Sequence, residues 1–262
     1  MTTTTVNYAG QALQMLRFDG KEDLQRRDPT IFEKVRDSVF KEYDPMLASI
    51  AAGWPGTVVY GDVRFPHTEE TEASCFEDFY DALGEDHGKS LVFAGSLDVE
   101  RGMMLPDRAR VVVLGDLATV GLCNVQCEIW VEGTTTIAGG LYFDSNNGGY
   151  TKLTLAVPAG FIATSANLFD VELRAKYYFD PLFRCGFGAT PTTRHEEIIT
   201  EAFRPGERVQ QVTLDDLADF FTKMNPEVGE EVRAGDYGSW LEVLLATLDS
   251  RSLVTFLDER YG

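Results

Sequence analysis

The sequence predicts a mainly β protein with helical caps: a parallel β-helix (solenoid) of about four to five coils, flanked by N- and C-terminal α-helical segments. Two glycine series carry this prediction. The first opens similar apolar segments at Gly102, Gly121, Gly140 and Gly160, at intervals of 19, 19 and 20 residues. The second ends strand-like runs at Gly95, Gly115 and Gly133, at intervals of 20 and 18 residues. Two glycines per segment, each recurring at a nearly constant interval, indicate an internal repeat. A repeat of this length is typical of solenoids.

Each segment also shows the alternation of a strand. Around Gly115, alternate positions are apolar at Val111, Val113 and Leu117. The segments before and after repeat the pattern at Leu91, Phe93, Leu97 and Val99 and at Ile129, Val131 and Ile137. Stacked coils would bury these residues in columns, and each coil would be stabilised by its neighbours. After the first glycine series, we expect the inward residues to be Leu122, Leu141 and Phe161.

The glycines themselves are expected at tight corners, where positive φ or a close backbone approach is needed. An antiparallel sandwich is the alternative, since it also has short strands at regular intervals. The glycine register and the shortage of Asn-Gly or Asp-Gly hairpin turns favour the solenoid. The first coil is predicted at residues 57–63. The fourth is aligned less regularly, because its strand glycine is missing after a loop at 146–149.

Three segments are predicted along the chain. Residues 1–56 form an N-terminal helical cap, 57–180 form the solenoid with an acidic helical insertion at 66–89, and 181–262 form a C-terminal helical cap. Helix starts are expected at Asp28-Pro29 and Asp44-Pro45, preceded by a short helix at about 12–18. These helices are predicted to cover the first open end of the solenoid, which would otherwise recruit another chain.

The C-terminal cap is predicted from helical periodicity and start signals. Thr213 to Asp216 resembles a capping box, followed by a helix that buries Leu214, Leu217 and Phe221. Residues 226–238 are expected to be a loop. An apolar helix is predicted from Trp240, and a last helix starts near Asp249. Their apolar faces are interpreted as core and not as grooves for a partner.

Charge is the strongest signal in the composition. The formal net charge is −19 and the isoelectric point is near 4.5. Such a chain is unsuited to nucleic acid or anionic membranes, which bind cationic patches, and it suits a basic protein partner. Solubility alone is the other explanation of the acidity.

The insertion concentrates this charge, with no Lys or Arg before Lys89. Its carboxylates are the predicted partner-binding residues: Glu69, Glu70, Glu72, Glu77, Asp78, Asp81, Glu85 and Asp86. Their mutual repulsion would be relieved by a basic partner, which they would also steer inward. The alternative is a solvated helix that its apolar side chains pin to the solenoid, at Phe76, Phe79, Tyr80 and Leu83.

The motifs of catalysis are missing from the sequence. His195-Glu196-Glu197 lacks the second histidine of a zinc protease helix, and neither a nucleophile elbow nor a phosphate-binding loop occurs. Cys75, Cys123, Cys127 and Cys185 are interpreted as reduced and packed. We therefore predict no metal, no cofactor and no enzyme, although a glycosidase pair among the many carboxylates stays open. With no signal peptide and no membrane-length apolar run, the expected location is the cytoplasm.

The repeat resembles a known group of bacterial proteins. The similarity lies in Val112 to Leu117, Gly121-Leu122, and Leu141 to Gly149 followed by a further strand. These features are similar to bactofilin-like, polymer-forming solenoid repeats, which are often encoded beside secreted polymorphic toxins. The resemblance implies a β-helix and an immunity protein that neutralises a cognate toxin by occluding its active site.

Two departures from the family pattern stand out. Gly95-Ser96 and Gly133-Thr134 replace the second Gly-Asp, and the fourth coil lacks its glycine. The alternatives to an immunity protein are a structural scaffold that assembles end to end and a solenoid hydrolase. The flanking helices are expected to argue against end-to-end assembly, because they would block the ends.

Overall fold

The structure is a computed structural model that describes residues 3–39, 55–66, 79, 83, 90–105, 109–125, 127–144, 151–155, 159–164, 171–172, 175–179, 209–246 and 249–262. The first sheet holds, in spatial order, β1 (Thr4–Tyr8), β2 (Gln11–Phe18), β3 (Gly56–Tyr60), β5 (Ser90–Phe93), β7 (Arg110–Val113), β9 (Glu128–Val131), β11 (Thr151–Thr154) and β13 (Val171–Glu172). The second holds β4 (Val63–Phe65), β6 (Leu97–Met104), β8 (Leu117–Val125), β10 (Thr135–Asp144), β12 (Ala159–Thr164), β14 (Ala175–Phe179) and β15 (Gln210–Gln211).

From β3 to β14 the chain alternates between the two sheets, and every pairing among these strands is parallel. This topology is a β-solenoid, so the predicted fold class is confirmed and the antiparallel sandwich is wrong. Three turns are regular: β5 with β6, β7 with β8, and β9 with β10. The strand pairs on either side are shorter, so the coil count differs slightly from the predicted four to five.

The interior is the apolar column that the alternation predicts. Leu91, Val111 and Ile129 stack in the first sheet, and their neighbours two residues on do the same. In the second sheet, the inward column after the first glycine series is Met103, Leu122, Leu141, Ile162 and Tyr178. Phe161 was expected in this column, and that expectation is wrong. Gly140 pairs with Phe161, so Gly160 falls one register position earlier.

The second glycine series forms a corner stack, which we define as Gly61, Gly95, Gly115 and Gly133. Gly115 N–H donates to the Gly95 carbonyl at 3.0 Å, and Gly133 N–H donates to the Gly115 carbonyl at 3.1 Å. A Cβ on Gly115 would lie 2.7 Å from the Gly95 carbonyl carbon. In this stack φ is positive at Gly61 alone. Close approach between successive turns is therefore what excludes a side chain from the other three.

Three glycines of the first series, Gly121, Gly140 and Gly160, have a different role, because they receive the C-terminal helices. A Cβ on Gly121 would lie 2.4 Å from the Leu245 carbonyl oxygen, and one on Gly160 would lie 2.4 Å from Val254 Cγ2. We call Gly121, Gly139, Gly140 and Gly160 the helix seam. Extra residues in β6 and β10 bend these strands just before the seam, where the register shifts.

The described helices are α1 (Lys21–Arg27), α2 (Pro29–Val39), α3 (Leu214–Met224), α4 (Pro226–Ala234), α5 (Tyr237–Ala246) and α6 (Arg251–Tyr261). Flanking helical segments were predicted, and the N-terminal ones were expected to cover the first open end of the solenoid. For α1 and α2 that position is wrong. The N-terminal pair packs on the outer face of the first sheet, against Val58, Val92, Val112 and Trp130. The C-terminal four pack on the outer face of the second sheet, against Cys123, Tyr142, Phe161 and Phe179. The described helices thus cover faces of the solenoid and not its ends.

Two of the local helix signals are confirmed, and one predicted loop is wrong. Asp28 accepts from the Ile31 N–H at 3.0 Å before the Pro29 start of α2. The capping box is present between Thr213 and Asp216. Residues 226–238 were predicted to be a loop, and this is wrong. Asn225 caps α4 through the Glu227 N–H, with Pro226 in the first turn. The helix predicted from Asp44-Pro45 lies outside the described residues.

The expected short helix at 12–18 is also wrong. Strands β1 and β2 form an antiparallel hairpin instead, and β2 continues the first sheet by pairing antiparallel with β3. The turn is Ala9-Gly10, with φ of 48° and 76°. Two positive φ values mark a type I′ turn, which normally carries Asn-Gly or Asp-Gly. Because alanine occupies the first position, the usual hairpin signal is missing from the sequence.

Candidate interaction surface

The acidic insertion is attached to the first end of the solenoid by two buried side chains. Phe79 is fully buried, with its ring centroid 4.9 Å from that of Phe65 and 5.1 Å from that of Tyr8. Leu83 is buried in the same core. The Leu83 N–H donates to the Phe79 carbonyl at 3.2 Å, the bond of one α-helical turn. Arg17 Nη2 donates to the Leu83 carbonyl at 2.9 Å, which ties the insertion to β2.

The predicted partner-binding carboxylates all lie outside the described residues: Glu69, Glu70, Glu72, Glu77, Asp78, Asp81, Glu85 and Asp86. Phe76 and Tyr80 lie outside them too. Of the predicted apolar face, Phe79 and Leu83 are described, and both are core residues. The apolar anchoring of the insertion is thus present at these two positions. The role of the eight carboxylates stays a prediction.

A second acidic region is the C-terminal helical layer, residues 209–262. It contains eleven acidic and four basic residues, a net charge of −7. The acidic side chains on its exposed positions include Asp215, Glu227, Asp236 and Glu259. An acidic surface was predicted at the insertion and not here, although the charge of this layer is present in the sequence too.

The basic residues of this layer are occupied within it. Arg260 contacts Asp216 at 2.7 Å and Asp219 at 2.8 Å. Arg233 reaches Asp219 at 3.3 Å and Glu230 at 2.6 Å. Arg251 pairs with Asp249. Lys223 Nζ lies 4.5 Å from the centre of the Phe256 ring, a cation–π arrangement. The excess negative charge therefore faces solvent.

Asp216 is the one carboxylate that is buried in this layer, with 2% of its surface exposed. Burial alone would raise its pKa. Hydrogen bonds from the Thr213 hydroxyl and N–H and from the Tyr261 hydroxyl, together with the charge of Arg260, hold the pKa below its ordinary value. The group caps α3 and fixes the end of α6 against it. Its role is structural.

A shallow groove of about 470 Å³ lies between α3 and α6. Its lining residues are Asp219, Thr222, Lys223, Phe256, Glu259 and Arg260. Positive and negative side chains surround the ring of Phe256. Both cations, Lys223 and Arg260, already have partners within the layer. The groove thus offers a mixed polar and aromatic surface on the outside of the helical layer.

The corner of the solenoid carries a polar column that the sequence showed only as a departure from the family pattern. We call Asp62, Ser96, Asp116 and Thr134 the corner ladder. Asp62 Oδ1 accepts from Ser96 N–H at 2.8 Å, and Ser96 Oγ accepts from Asp116 N–H at 3.1 Å. Asp116 Oδ1 accepts from Thr134 N–H at 2.8 Å and from its hydroxyl at 2.9 Å.

The ladder gives a physical reason for Ser96 and Thr134. Strands in a sheet lie about 4.8 Å apart, so aspartates on every turn would stack like charges at that distance. Alternating a carboxylate with a hydroxyl avoids the repulsion and supplies donors. The hydrogen bonds from Thr134 lower the pKa of Asp116.

The described part of the chain gives little evidence for metal binding or thiol chemistry. Among those residues, no group of three or more His, Cys, Asp and Glu side chains is placed to hold a metal ion. Cys123 and Cys127 are buried, as the prediction of packed cysteines requires, and Cys75 and Cys185 lie outside the described residues. No described helix is long and apolar enough to cross a membrane.

The chain matches no protein-family model, no curated protein and no solved structure. The resemblance to bactofilin-like repeats therefore rests on the repeat residues alone.

Proposed function

We propose that this protein is an immunity protein, which binds a cognate bacterial toxin with a basic surface and occludes its active site. The observation that carries the proposal is the anchoring of the acidic insertion. Phe79 and Leu83 are buried in the solenoid core, and Arg17 holds the Leu83 carbonyl. The insertion, in which negative charge is concentrated, is thus attached to the stacked β scaffold at Phe79 and Leu83. The proposal assigns the protein to the cytoplasm and gives it no catalysis of its own.

The physical basis is electrostatic complementarity. A net charge of −19 attracts a basic partner over a long range and raises the rate of encounter. The insertion has eight carboxylates and no Lys or Arg of its own before Lys89, so its carboxylates repel one another, and a cationic surface would relieve that repulsion. A rigid support favours affinity, because fewer side chains and loops must be ordered on binding.

The test begins with the charge itself. The triple variant Glu77→Lys, Asp78→Lys, Asp81→Lys should bind the toxin encoded beside it more weakly, mainly through slower association, and the loss should shrink as salt is raised. Association and dissociation rates by surface plasmon resonance at two ionic strengths measure this. Rescue of toxin-expressing cells by the wild type, and its loss in the variant, gives the functional readout.

The matched control is Asp215→Lys, Glu227→Lys, Glu259→Lys. These residues are exposed on the C-terminal layer, and the change in net charge is the same. The control should keep most of the rate if the insertion is the binding surface. Equal losses in both triples would assign the effect to overall charge. Failure of the wild type both to co-purify with the toxin and to rescue the cells would overturn the function.

A further inference from the structure

The two sheet edges at the first end of the solenoid differ in how they are protected from pairing with another chain. The second sheet ends on β4, where the Gln11 side chain acts as a substitute strand. Its Oε1 accepts from the Arg64 N–H at 3.0 Å, and its Nε2 donates to the Arg64 carbonyl. Arg64 also forms ion pairs with Glu100 and Asp98. A side-chain cover and charges are the usual devices that keep an edge strand from pairing with another chain.

The first sheet ends on β1, where neither device occurs in the part of the chain that the structure describes. Among the described residues, no strand pairs with β1 on the side away from β2. Residues 1–16 contain no charged side chain, in a chain whose residues are 25% charged. The strand Thr4–Tyr8 has no proline and pairs with β2 in regular register without a bulge. Threonine, valine and tyrosine favour extended structure.

The hairpin register identifies the backbone groups that face this open side. Tyr8 pairs with Gln11 across a two-residue turn, so these two residues exchange hydrogen bonds. Hydrogen-bonded pairs alternate along an antiparallel ladder, and Val6 and Thr4 are therefore the next residues bonded to β2. The N–H and C=O groups of Thr3, Thr5 and Asn7 point away from β2. Thr5 and Asn7 are exposed.

We propose that β1 is a dimerisation edge, at which two copies of this chain pair their β1 strands antiparallel and join their first sheets. With Thr5 opposite Thr5 of the second copy, Thr3 falls opposite Asn7. All the outward backbone groups of the three residues are then matched, giving about six N–H···O bonds. Val6 and Tyr8 pack against the solenoid core, and the two-fold contact would extend that packed layer across the interface.

The second copy is the occupant that the edge fits best. Antiparallel pairing of one strand with itself is self-complementary, so a closed two-fold dimer needs no additional recognition. The uncharged residues 1–16 also keep the charges of both copies, −19 each, away from the contact. Like-charged copies still repel at longer range. Dimerisation should therefore strengthen as salt is raised, whereas capture of a basic toxin should weaken.

Sedimentation equilibrium of the full chain, from low to high salt, is the measurement. The wild type should dimerise more tightly at high salt. Thr5→Pro removes an outward N–H and leaves the backbone ladder to β2 intact, and the two-fold axis doubles the loss. The hydrogen bond from Gln14 Nε2 to Thr5 Oγ1, at 2.7 Å, is lost in Thr5→Pro and in Thr5→Ala alike. Thr5→Pro should weaken the dimer roughly tenfold or more. Thr5→Ala keeps the N–H and should dimerise within a factor of about three of the wild type.

Asn7→Lys supplies an independent test, because it adds the protecting charge that the edge lacks and leaves the backbone unchanged. It should weaken the dimer at every salt concentration. The amide hydrogens of Thr5 and Asn7 should also exchange more slowly at dimer-forming concentrations. A wild type that stays monomeric at high salt, or a Thr5→Pro variant that dimerises as tightly as Thr5→Ala, would overturn the proposal. Neither result touches the toxin-binding function, which is read from the salt dependence of a different complex.

Discussion

The corner stack and the helix seam are built from the same residue with nearly the same period, but they exclude a side chain for different reasons. In the corner stack, the obstacle to a Cβ is the backbone of the preceding turn, as at Gly115 against Gly95. In the helix seam, the obstacle is a helix from the end of the chain, as at Gly121 against Leu245. One series closes the repeat on itself, and the other attaches a segment that does not repeat.

The largest expected effect separates the two series. Gly115→Ala places a Cβ 2.6 Å from Ser96 Oγ and 2.7 Å from the Gly95 carbonyl carbon, between turns that are hydrogen-bonded on both sides. The turns cannot separate without breaking those bonds, so we expect the free energy of unfolding to fall by about 3 kcal/mol or more. Urea unfolding followed by circular dichroism measures the loss.

Gly121→Ala is the matched variant in the helix seam. Its Cβ would lie 2.4 Å from the Leu245 carbonyl oxygen. Because this obstacle belongs to a helix on the outer face and not to a hydrogen-bonded neighbouring turn, we expect α5 to move outward. We expect a smaller loss, of about 2 kcal/mol, confined to the C-terminal layer. Hydrogen exchange should quicken in α5 and stay slow in β5 and β7, whereas Gly115→Ala should quicken exchange in the strands. The same exchange pattern in both variants would show that the distinction is false.

The repeat could be predicted from the sequence because it is local. Alternation and a fixed glycine interval identify the strands around Val111, and parallel stacking follows from the repeat. The roles of the two glycine series could not be separated, because the helix that contacts Gly121 lies more than a hundred residues away. The sequence did contain a signal that strands of the first sheet are covered on both faces. Val58-Val59 and Val111-Val112-Val113 are continuous apolar runs, which are typical of strands buried on both sides.

Other errors have equally local causes. The hairpin was missed because Ala9 replaces the usual asparagine in its turn, and because Leu13 and Leu16 match helical spacing. The helix α4 was missed although Asn225-Pro226 is a standard start. Of the candidate site, the anchors Phe79 and Leu83 were predicted from their spacing, and the corner ladder was not. A hydrogen bond between residues about 20 apart, as between Ser96 and Asp116, depends on the register of stacked turns.

A smaller effect tests the polar part of the helix seam. Ser250 is buried, accepts from the Gly140 N–H at 3.2 Å and donates to the Val120 carbonyl at 3.2 Å. These two backbone groups lie where the register between β8 and β10 shifts. Ser250→Ala leaves both groups without this partner, and we expect a loss of about 1–2 kcal/mol in the free energy of unfolding.

Ser252→Ala is the control, since its exposed hydroxyl donates to the Asp249 carbonyl within the same turn. That variant should change stability by less than about 0.5 kcal/mol. If both variants lose the same amount of unfolding free energy, the two hydrogen bonds of Ser250 to the seam contribute nothing to stability.

The smallest effect belongs to the corner ladder, and it depends on pH. Hydrogen bonds from the Thr134 N–H and hydroxyl hold the pKa of Asp116 below the ordinary value of about 3.9. A carboxyl whose pKa is lower in the folded state stabilises the fold when it is ionised. This contribution is complete above the unfolded pKa and disappears as the pH falls through the folded one. Because Asp116 is exposed, solvent and salt keep the effect small.

Asp116→Asn keeps an acceptor oxygen for Thr134 and removes the charge. The wild type should therefore be more stable than Asp116→Asn at neutral pH, and the difference should vanish as the pH falls below about 3.9. Urea unfolding of both proteins between neutral pH and about pH 2.5 measures it. Ser250→Ala provides the contrast from the helix seam, because a serine hydroxyl does not titrate and its deficit should persist at every pH. A deficit of Asp116→Asn that is equally constant would mean that the corner ladder depends on the shape of the side chain and not on its charge.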